Sequence, residues 1–331
     1  MSIAVPLYGF GASGGSPNKS TIIVTAPTGS TVTCKMGSTT KTAAEKNGVW
    51  TFGGLDLGTW TITSTKGGDS ATQDVAITRL TVEYVTIVYR ITPEFTYTGD
   101  YAIVDDSDNP ISDFASWKDN WKIRFLTSGT LTFTKLNGWN GQLDVFLVGG
   151  GGAGGNGVWA NGYVQPDQRG GGAGAGYTMT KTGVSVTINT PYSINIGAGA
   201  AAPWSDPKEN GSAGGDTSAF SFTAKGGGAP QGGSGANGGS GGGNSGHEGA
   251  TDGGGGTNAG AGQGTTTREF GESTGKLYAT GGSGVSKKNG QANTGDGGSG
   301  GKYTETSNGT APSGGSGGSG IVIIRNARGA A

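Results

Sequence analysis

The chain has 331 residues, 73 of them glycine, and its 22 Lys and Arg nearly balance 23 Asp and Glu. Glycine at about three times its ordinary ~7% share leaves too few large apolar side chains for one conventional core, and the length predicts about two domains. The balanced charge supplies no basic stripe for a row of phosphates, and no run approaches the roughly 18 apolar residues of a membrane span, so neither nucleic acid nor membrane insertion is expected.

The first residues, MSIAVPLYGFGASGGS, lack the charged and continuously apolar regions of a secretory signal, which predicts folding in the cytoplasm. Residues 1–19 read as an arm whose Ile3, Val5, Leu7, Tyr8 and Phe10 need an apolar surface. That surface is either a partner, which makes the arm a docking peptide, or its own domain.

From residue 20 to 92 the pattern is alternating, β-branched and punctuated by turns: TIIVTA, STVTCK, VWTF, GTWTITST, QDVAIT and LTVEYVTIVYRI. Six short strands at this spacing predict a β-sandwich, with Asn47-Gly48 as a hairpin turn and Trp50, Phe52, Leu55, Leu57 and Trp60 in its interior. Cys34, the single cysteine, excludes an internal disulfide and sits where a strand places a small apolar side chain. NGVWTFGGLDLGTWTIT resembles the strand-turn-strand signature of carboxypeptidase-regulatory-like and related Ig-like modules, which implies a spacer or recognition platform rather than an enzyme.

Residues 93–148 read as a β-rich connector ending in two strong strands, TSGTLTFTK and LDVFLV. Asp105, Asp106, Asp108 and Asn109 form an acidic turn, but Pro110 interrupts a calcium-loop spacing and no Glu follows, so a solvated turn is expected.

Residues 149–331 are dominated by glycine, yet short strands interrupt the runs: GYTMTKT, VSVTINTPYSINIG, DTSAFSFTAKG, GKLYATGG, GKYTET and GIVIIRNAR. A flexible linker has no reason to alternate with aromatic strands. An ordered glycine block needs dense backbone hydrogen bonding, because glycine loses most entropy on folding and buries no side chain. An extended left-handed three-residue helix meets that need, since its N–H and C=O groups point sideways to neighbours that only glycine lets approach. The expected period of three appears at Ser234, Asn237 and Ser240, and again at Ser316 and Ser319, residues expected to face solvent. Collagen is excluded by Gly226-Gly227-Gly228 and by only 11 Pro in the chain. The apolar runs 143–148 and 321–325 read as buried strands lying side by side and closing the domain.

Candidate chemistry is sparse, and no enzyme, metal or cofactor is predicted. Gly152, Gly154 and Gly157 match GxGxxG after an apolar strand, but no helix and no acidic residue follow as a dinucleotide site requires. Gly271 to Lys276 falls one residue short of a phosphate loop. His247, the only histidine, lies among glycines that cannot orient it for a triad; a metal set of His247, Glu248 and Asp252 is weaker than an exposed loop. Aromatic and polar residues marooned in glycine loops are the binding candidates: Trp159, Tyr163, Trp204, Asp206, Arg268 and Phe270. They either contact a ligand or cap the ends of the glycine stack.

LDVFLVGGGGAGG, GGGAGAGYT, YSINIGAGA, DTSAFSFTAKGGG and GGSGIVIIR resemble the glycine-rich domain of many phage tail proteins, and the arrangement is similar to distal phage adhesins built from polyglycine helices. The resemblance implies an all-β chain in which an Ig-like sandwich precedes extended polyglycine-type helices and short strands. It implies a virion location, other virion proteins bound through the N-terminal region, and loops that contact a bacterial surface polysaccharide or outer-surface protein. A purely architectural subunit, such as a head fibre, decoration or tail spacer, is the alternative; homo-oligomerisation is left open.

Overall fold

The computed structural model describes residues 19–66, 69–87, 92–114, 117, 120–137, 139–156, 169–203, 210–301 and 313–328. The described elements are β-strands in four sheets with one short 3-10 turn, so the chain is all-β. Among the described residues no helix is long and apolar enough to cross a membrane. The chain divides into two compact units, Met1–Thr92 and Pro93–Ala331.

The first unit contains β1 (Ser20–Thr25), β2 (Thr31–Met36), β3 (Thr39–Thr42), β4 (Val49–Leu55), β5 (Gly58–Lys66), β6 (Asp69–Ile77) and β7 (Val82–Thr86). They form sheets in the orders β4-β1-β7 and β3-β2-β5-β6, with β7 parallel to β1. Alternation places Ile22, Val24, Trp50 and Phe52 of one sheet against Val32, Cys34, Trp60 and Ile62 of the other in one buried cluster. Asn47 and Gly48 both adopt positive φ, 54° and 75°, as the tightest hairpin turn requires. Burial pushes the Cys34 thiol up to about 11, so it packs as a small apolar residue with little thiolate. Leu57, expected inside, is 54% exposed, because it lies in the two-residue link between β4 and β5 rather than on a strand face.

The second unit holds β8 (Glu94–Tyr97), β9 (Tyr101–Val104), β10 (Lys122–Phe125), β11 (Gly129–Lys135), β12 (Gln142–Val148), β13 (Thr178–Ser185), β14 (Pro191–Asn195), β15 (Thr217–Ala219), β16 (Phe222–Ala224) and β17 (Ile321–Asn326). Two five-stranded sheets result, β13-β12-β17-β10-β9 and β16-β15-β14-β11-β8. The stretch expected as a connector is thus part of this unit: β8 to β12 contribute to both sheets, and β10 pairs with the last strand, β17. β12 and β17 lie side by side in antiparallel register, Leu143 opposite Asn326 and Val148 opposite Ile321. Their runs are apolar throughout because both faces are covered. Leu143, Val145, Leu147, Val322 and Ile324 join the core between the sheets, while Phe146, Val148, Ile321 and Ile323 pack against Phe270, Tyr278, Ala175 and Ala279.

Beyond the strands, the glycine segments are ordered by backbone hydrogen bonds with a period of three. The amides of Gly149, Gly152 and Gly155 donate to Tyr177, Gly174 and Gly171; those of Gly150 and Ala153 donate to Gly215 and Ser212; those of Gly151 and Gly154 donate to Gly318 and Gly315. Residues 170–177 repeat the scheme towards three other segments: Gly170, Ala173 and Gly176 donate to Gly301, Gly298 and Gly295; Gly171, Gly174 and Tyr177 donate to Gly232, Gly228 and Lys225; and Gly172 and Ala175 donate to Gly243 and Ser240. Each segment also accepts bonds from further neighbours, such as Gly227 to Gly150 and Gly282 to Ala173. What these positions require of glycine is closeness. A Cβ on Gly174 would stand 1.9 Å from the Asn237 carbonyl oxygen, and one on Gly235 would stand 1.8 Å from that of Gly242.

Ser234 and Asn237 are exposed, as their spacing predicts, but Ser240 is fully buried and its Oγ accepts the Gly253 amide at 3.1 Å. The run reverses direction at Gly238–Ser240, so the third residue of the period is tucked under the next turn instead of facing solvent. Gly174→Ala and Gly235→Ala should each cost at least about 2 kcal/mol, because the obstacle is backbone and cannot swing aside. Ser234→Ala, on an exposed side chain, should stay within about 0.5 kcal/mol. Thermal melting of the three variants separates a packed array from a flexible run, in which all three would melt alike.

Candidate functional site

The segments of the array run to and fro, so their connections gather at two ends. At the end away from the sheets, the residues that flank the long connections are joined by hydrogen bonds. Asn156 Oδ1 accepts the Gly314 amide, Gly155 donates to Gly171 and accepts from Gly301, and the Arg169 guanidinium donates to the Val285 carbonyl at 2.6 Å. Asn210 Oδ1 accepts the Gly232 amide, Ser245 donates to Gly233, and Lys287 Nζ reaches Ser313 Oγ at 2.9 Å. The flanks of residues 157–168, 204–209 and 302–312 therefore share one end with the described turns at 231–234, 244–247 and 285–289. Trp159, Tyr163, Trp204 and Asp206 themselves lie outside the described residues.

Arg268 and Phe270 sit elsewhere, at the end beside the sheets. Phe270 has φ 55° within the 3-10 turn Glu269–Gly271 and is 8% exposed, its ring centroid 5.8 Å from Phe146. The premise that no core claims it fails: Phe146, Tyr278, Ile321 and Ile323 do. Arg268 is half-buried, donating from Nε to Asp252 Oδ2 at 3.2 Å and from Nη1 to the Gly275 carbonyl at 3.1 Å. Both residues brace the 266–278 segment rather than project from it.

That segment closes an ion cluster which sequence reasoning missed. Lys122 Nζ lies 2.7 Å from Asp108 Oδ1 and 2.8 Å from Glu269 Oε1, and Arg124 Nη2 lies 2.5 Å and 3.3 Å from the same two carboxylates. Arg325, opposite both Asp144 and Lys122 in the sheet, binds Asp144 Oδ2 at 3.0 Å and Glu272 Oε1 at 2.7 Å, and its guanidinium lies 4.0 Å from the centroid of Phe270. Arg328 pairs with Asp106. Neighbouring cations on β10 and β17 would repel without these carboxylates. The available signal was charge inside apolar strands, at Asp144 in LDVFLV and Arg325 in IVIIRN.

A pocket of about 430 Å³ opens beside the cluster, lined among others by Asp108, Lys122, Glu269, Phe270 and Arg325. Its carboxylates face cations. Burial opposes ionisation of Asp108, but hydrogen bonds from Lys122 and Arg124 outweigh it and hold the carboxyl below its ordinary value, a poor setting for a general acid. Burial and the charge of Glu269 push the Tyr278 phenol well above its ordinary value.

The remaining motifs have structural partners. Asp105 accepts the amides of Ser107 and Asn109, closing its own turn, while Asp106 and Asp108 are held by Arg328, Lys122 and Arg124. The amides of Gly152 and Gly154, which a pyrophosphate would need, bond to Gly174 and Gly315; Gly157 lies outside the described residues. His247 is exposed in a turn, and Asp252 is engaged by Thr266, Thr267 and Arg268. Among the described residues no group of three or more His, Cys, Asp or Glu is arranged to hold a metal ion.

The family described as a glycine-rich domain matches residues 126–327, which spans β11 to β17 and the whole array between them. No curated protein matches the chain.

The cluster makes acid sensitivity predictable. Asp108 binds a proton less readily folded than unfolded, so its stabilisation is complete above the unfolded carboxyl value of about 4 and is lost as pH falls through the lower folded value. Acid denaturation of the second unit should therefore be confined to below pH ~4, with a shallower slope in Asp108→Asn. Glu269→Gln, which strips a buried carboxylate from Lys122 and Arg124, should cost about 3 kcal/mol in urea unfolding at pH 7.

Proposed function

Because the chain belongs to the glycine-rich domain family, we propose that it is a non-enzymatic virion protein of a bacteriophage, a host-binding adhesin or tail-fibre component. The observation that carries this reading is the gathering of the connections at one end of the array. Asn156, Arg169, Asn210, Gly232, Val285 and Ser313 bring the flanks of long, aromatic-containing segments together, away from the sheets. A rigid scaffold that presents several loops side by side is how binding residues are commonly displayed. The cross-bonded segments are read as polyglycine-type three-residue helices, in keeping with their hydrogen-bond period and the resemblance to phage tail adhesins. The first unit is read as an Ig-like module that joins the array to other virion proteins. The bound surface is a bacterial polysaccharide or outer-surface protein.

A purely architectural subunit is the second reading. It draws on Arg268 and Phe270, two residues of binding type that are claimed by packing.

Labelled full-length protein should bind host cells and compete with phage adsorption. Replacing residues 157–168 by a Gly-Ser linker of equal length should lower that binding at least tenfold with Tm unchanged. Undiminished adsorption in the replaced protein, or no binding by the intact chain to any susceptible cell, favours the architectural reading.

A further inference from the structure

Residues 313–326 form one extended stretch that occupies the middle of both parts of the second unit. Its strand, β17, is inserted between β10 and β12, and Ile321, Val322, Ile323 and Ile324 are each no more than 2% exposed. Its glycine portion is inserted in the same way. Gly151 and Gly154 donate to Gly318 and Gly315, Gly317 and Gly320 donate to Ala200 and Gly197, and Gly315 and Gly318 donate to Ser299 and Asp296. The walls of this groove hold one another without the insert. β10 pairs with β9, β12 pairs with β13, the sheet β16-β15-β14-β11-β8 contains none of the inserted residues, and Ala200, Gly298 and Gly215 donate to Gly151, Gly152 and Ala198.

The groove specifies its occupant residue by residue. A Cβ at Gly314, Gly317 or Gly320 would stand within 2.1 Å of the carbonyl oxygen of Gly154, Gly151 or Val148 respectively, and Gly315 and Gly318 are closed in the same way by Lys288 and Gln291. Every third position has room for a side chain, and two of these are bonded: Ser313 Oγ accepts Lys287 Nζ and Ser319 Oγ accepts the Asn293 amide. In β17, Val322 and Ile324 enter the core between the sheets, Ile321 and Ile323 pack with Phe146, Phe270 and Tyr278, and Arg325 binds Asp144 and Glu272. A slip of one residue would exchange the two faces and carry Arg325 into the core.

We propose that this groove is a strand-acceptor site and that the segment SGGSGGSGIVIIRN is its ligand, bound in one register without need of a covalent link to the rest of the chain. Strand addition takes its affinity from backbone bonds and its specificity from alternate side chains. Here the glycine half adds a second filter, since the carbonyl oxygens that line it exclude any side chain at two positions of every three. This segment is placed throughout, whereas the arm expected over residues 1–19 lies outside the described residues up to Asn18.

The test supplies the segment from outside to a full chain whose own copy is disabled. Gly317→Val and Arg325→Glu, introduced together, put a side chain against the Gly151 carbonyl and a carboxylate beside Asp144 and Glu272. This chain should melt about 10 °C or more below the unaltered one. Refolded from urea with a labelled synthetic peptide of residues 313–328, it should recover most of that loss, saturating at one peptide per chain with a Kd of about 10 µM or tighter. A peptide with Gly317→Val should bind at least about tenfold more weakly, and one with Ser316→Ala within about threefold. The unaltered chain, whose groove is filled, should bind none. An unchanged melting temperature in the double variant, no recovery with peptide at about 1 mM, equal recovery with the Gly317→Val peptide, or equal binding to the unaltered chain would each overturn the proposal.

Discussion

Backbone hydrogen bonding in more than two directions is the constraint on which the second unit depends. In a sheet each strand bonds to two neighbours, and side chains fill the space above and below. Here Gly149 to Gly155 donate in turn to three segments and accept from others, so the interior of the array is peptide rather than side chain. Such an interior tolerates no Cβ wherever a carbonyl oxygen stands within about 2 Å of its position, as at Gly174 and Gly235. Glycine content is therefore the means by which these segments find partners, and alanine enters only where space remains, as at the buried Ala153, Ala173 and Ala175. The entropy lost by ordering these glycines is offset by backbone bonds, which every amide of Gly149 to Gly155 and of Gly170 to Tyr177 donates.

An array of this kind has no side-chain core with which to start, and the two five-stranded sheets supply it. β12 leads into the array and β17 leads out of it, and the pairing of these two strands fixes both ends on one base. Aromatic packing of Phe146 with Phe270 and Tyr278 ties the array's near end to the outer face of that base. The buried ions Lys122, Glu269, Asp144 and Arg325, with the half-buried Arg124, do the same with directional bonds. Rigidity at the near end is what allows the far end to hold the described flanks Asn156, Arg169, Asn210 and Ser313 together, and this links the ion cluster to the proposed function without placing it at a binding surface.

Much of the fold was legible because its signals are local. Alternation marked the strands of the first unit, Asn47-Gly48 marked a turn, and unbroken apolar runs marked β12 and β17 as buried on both faces. The period of three in Ser234 and Asn237 pointed to segments packed side by side. Ser240 broke that period because a chain reversal, which glycine permits anywhere, leaves no mark in a run of Gly and Ser. Phe270 was misread for a related reason. In TREFGESTGKLYATG the nearest partner in sequence, Tyr278, was visible, but the sheet face that buries both rings comes from β12 and β17, far away in the chain. The ion cluster was illegible as a unit, since its members are spread from Asp108 to Arg325 and only the fold brings them together. Of the binding candidates, Trp159, Tyr163, Trp204 and Asp206 fall outside the described residues, and their flanks, not their side chains, carry the functional reading.

The central claim is that the glycine segments are held by backbone bonds as firmly as strands are, and amide hydrogen exchange measures that directly. Residues 149–155 and 170–177 should exchange as slowly as β12, within about tenfold, because opening any one segment breaks bonds to several others at once. Exchange of these glycine amides near the rate of an unstructured chain, while β12 and β17 remain protected, would contradict the account and leave the second unit as a pair of sheets with long loops.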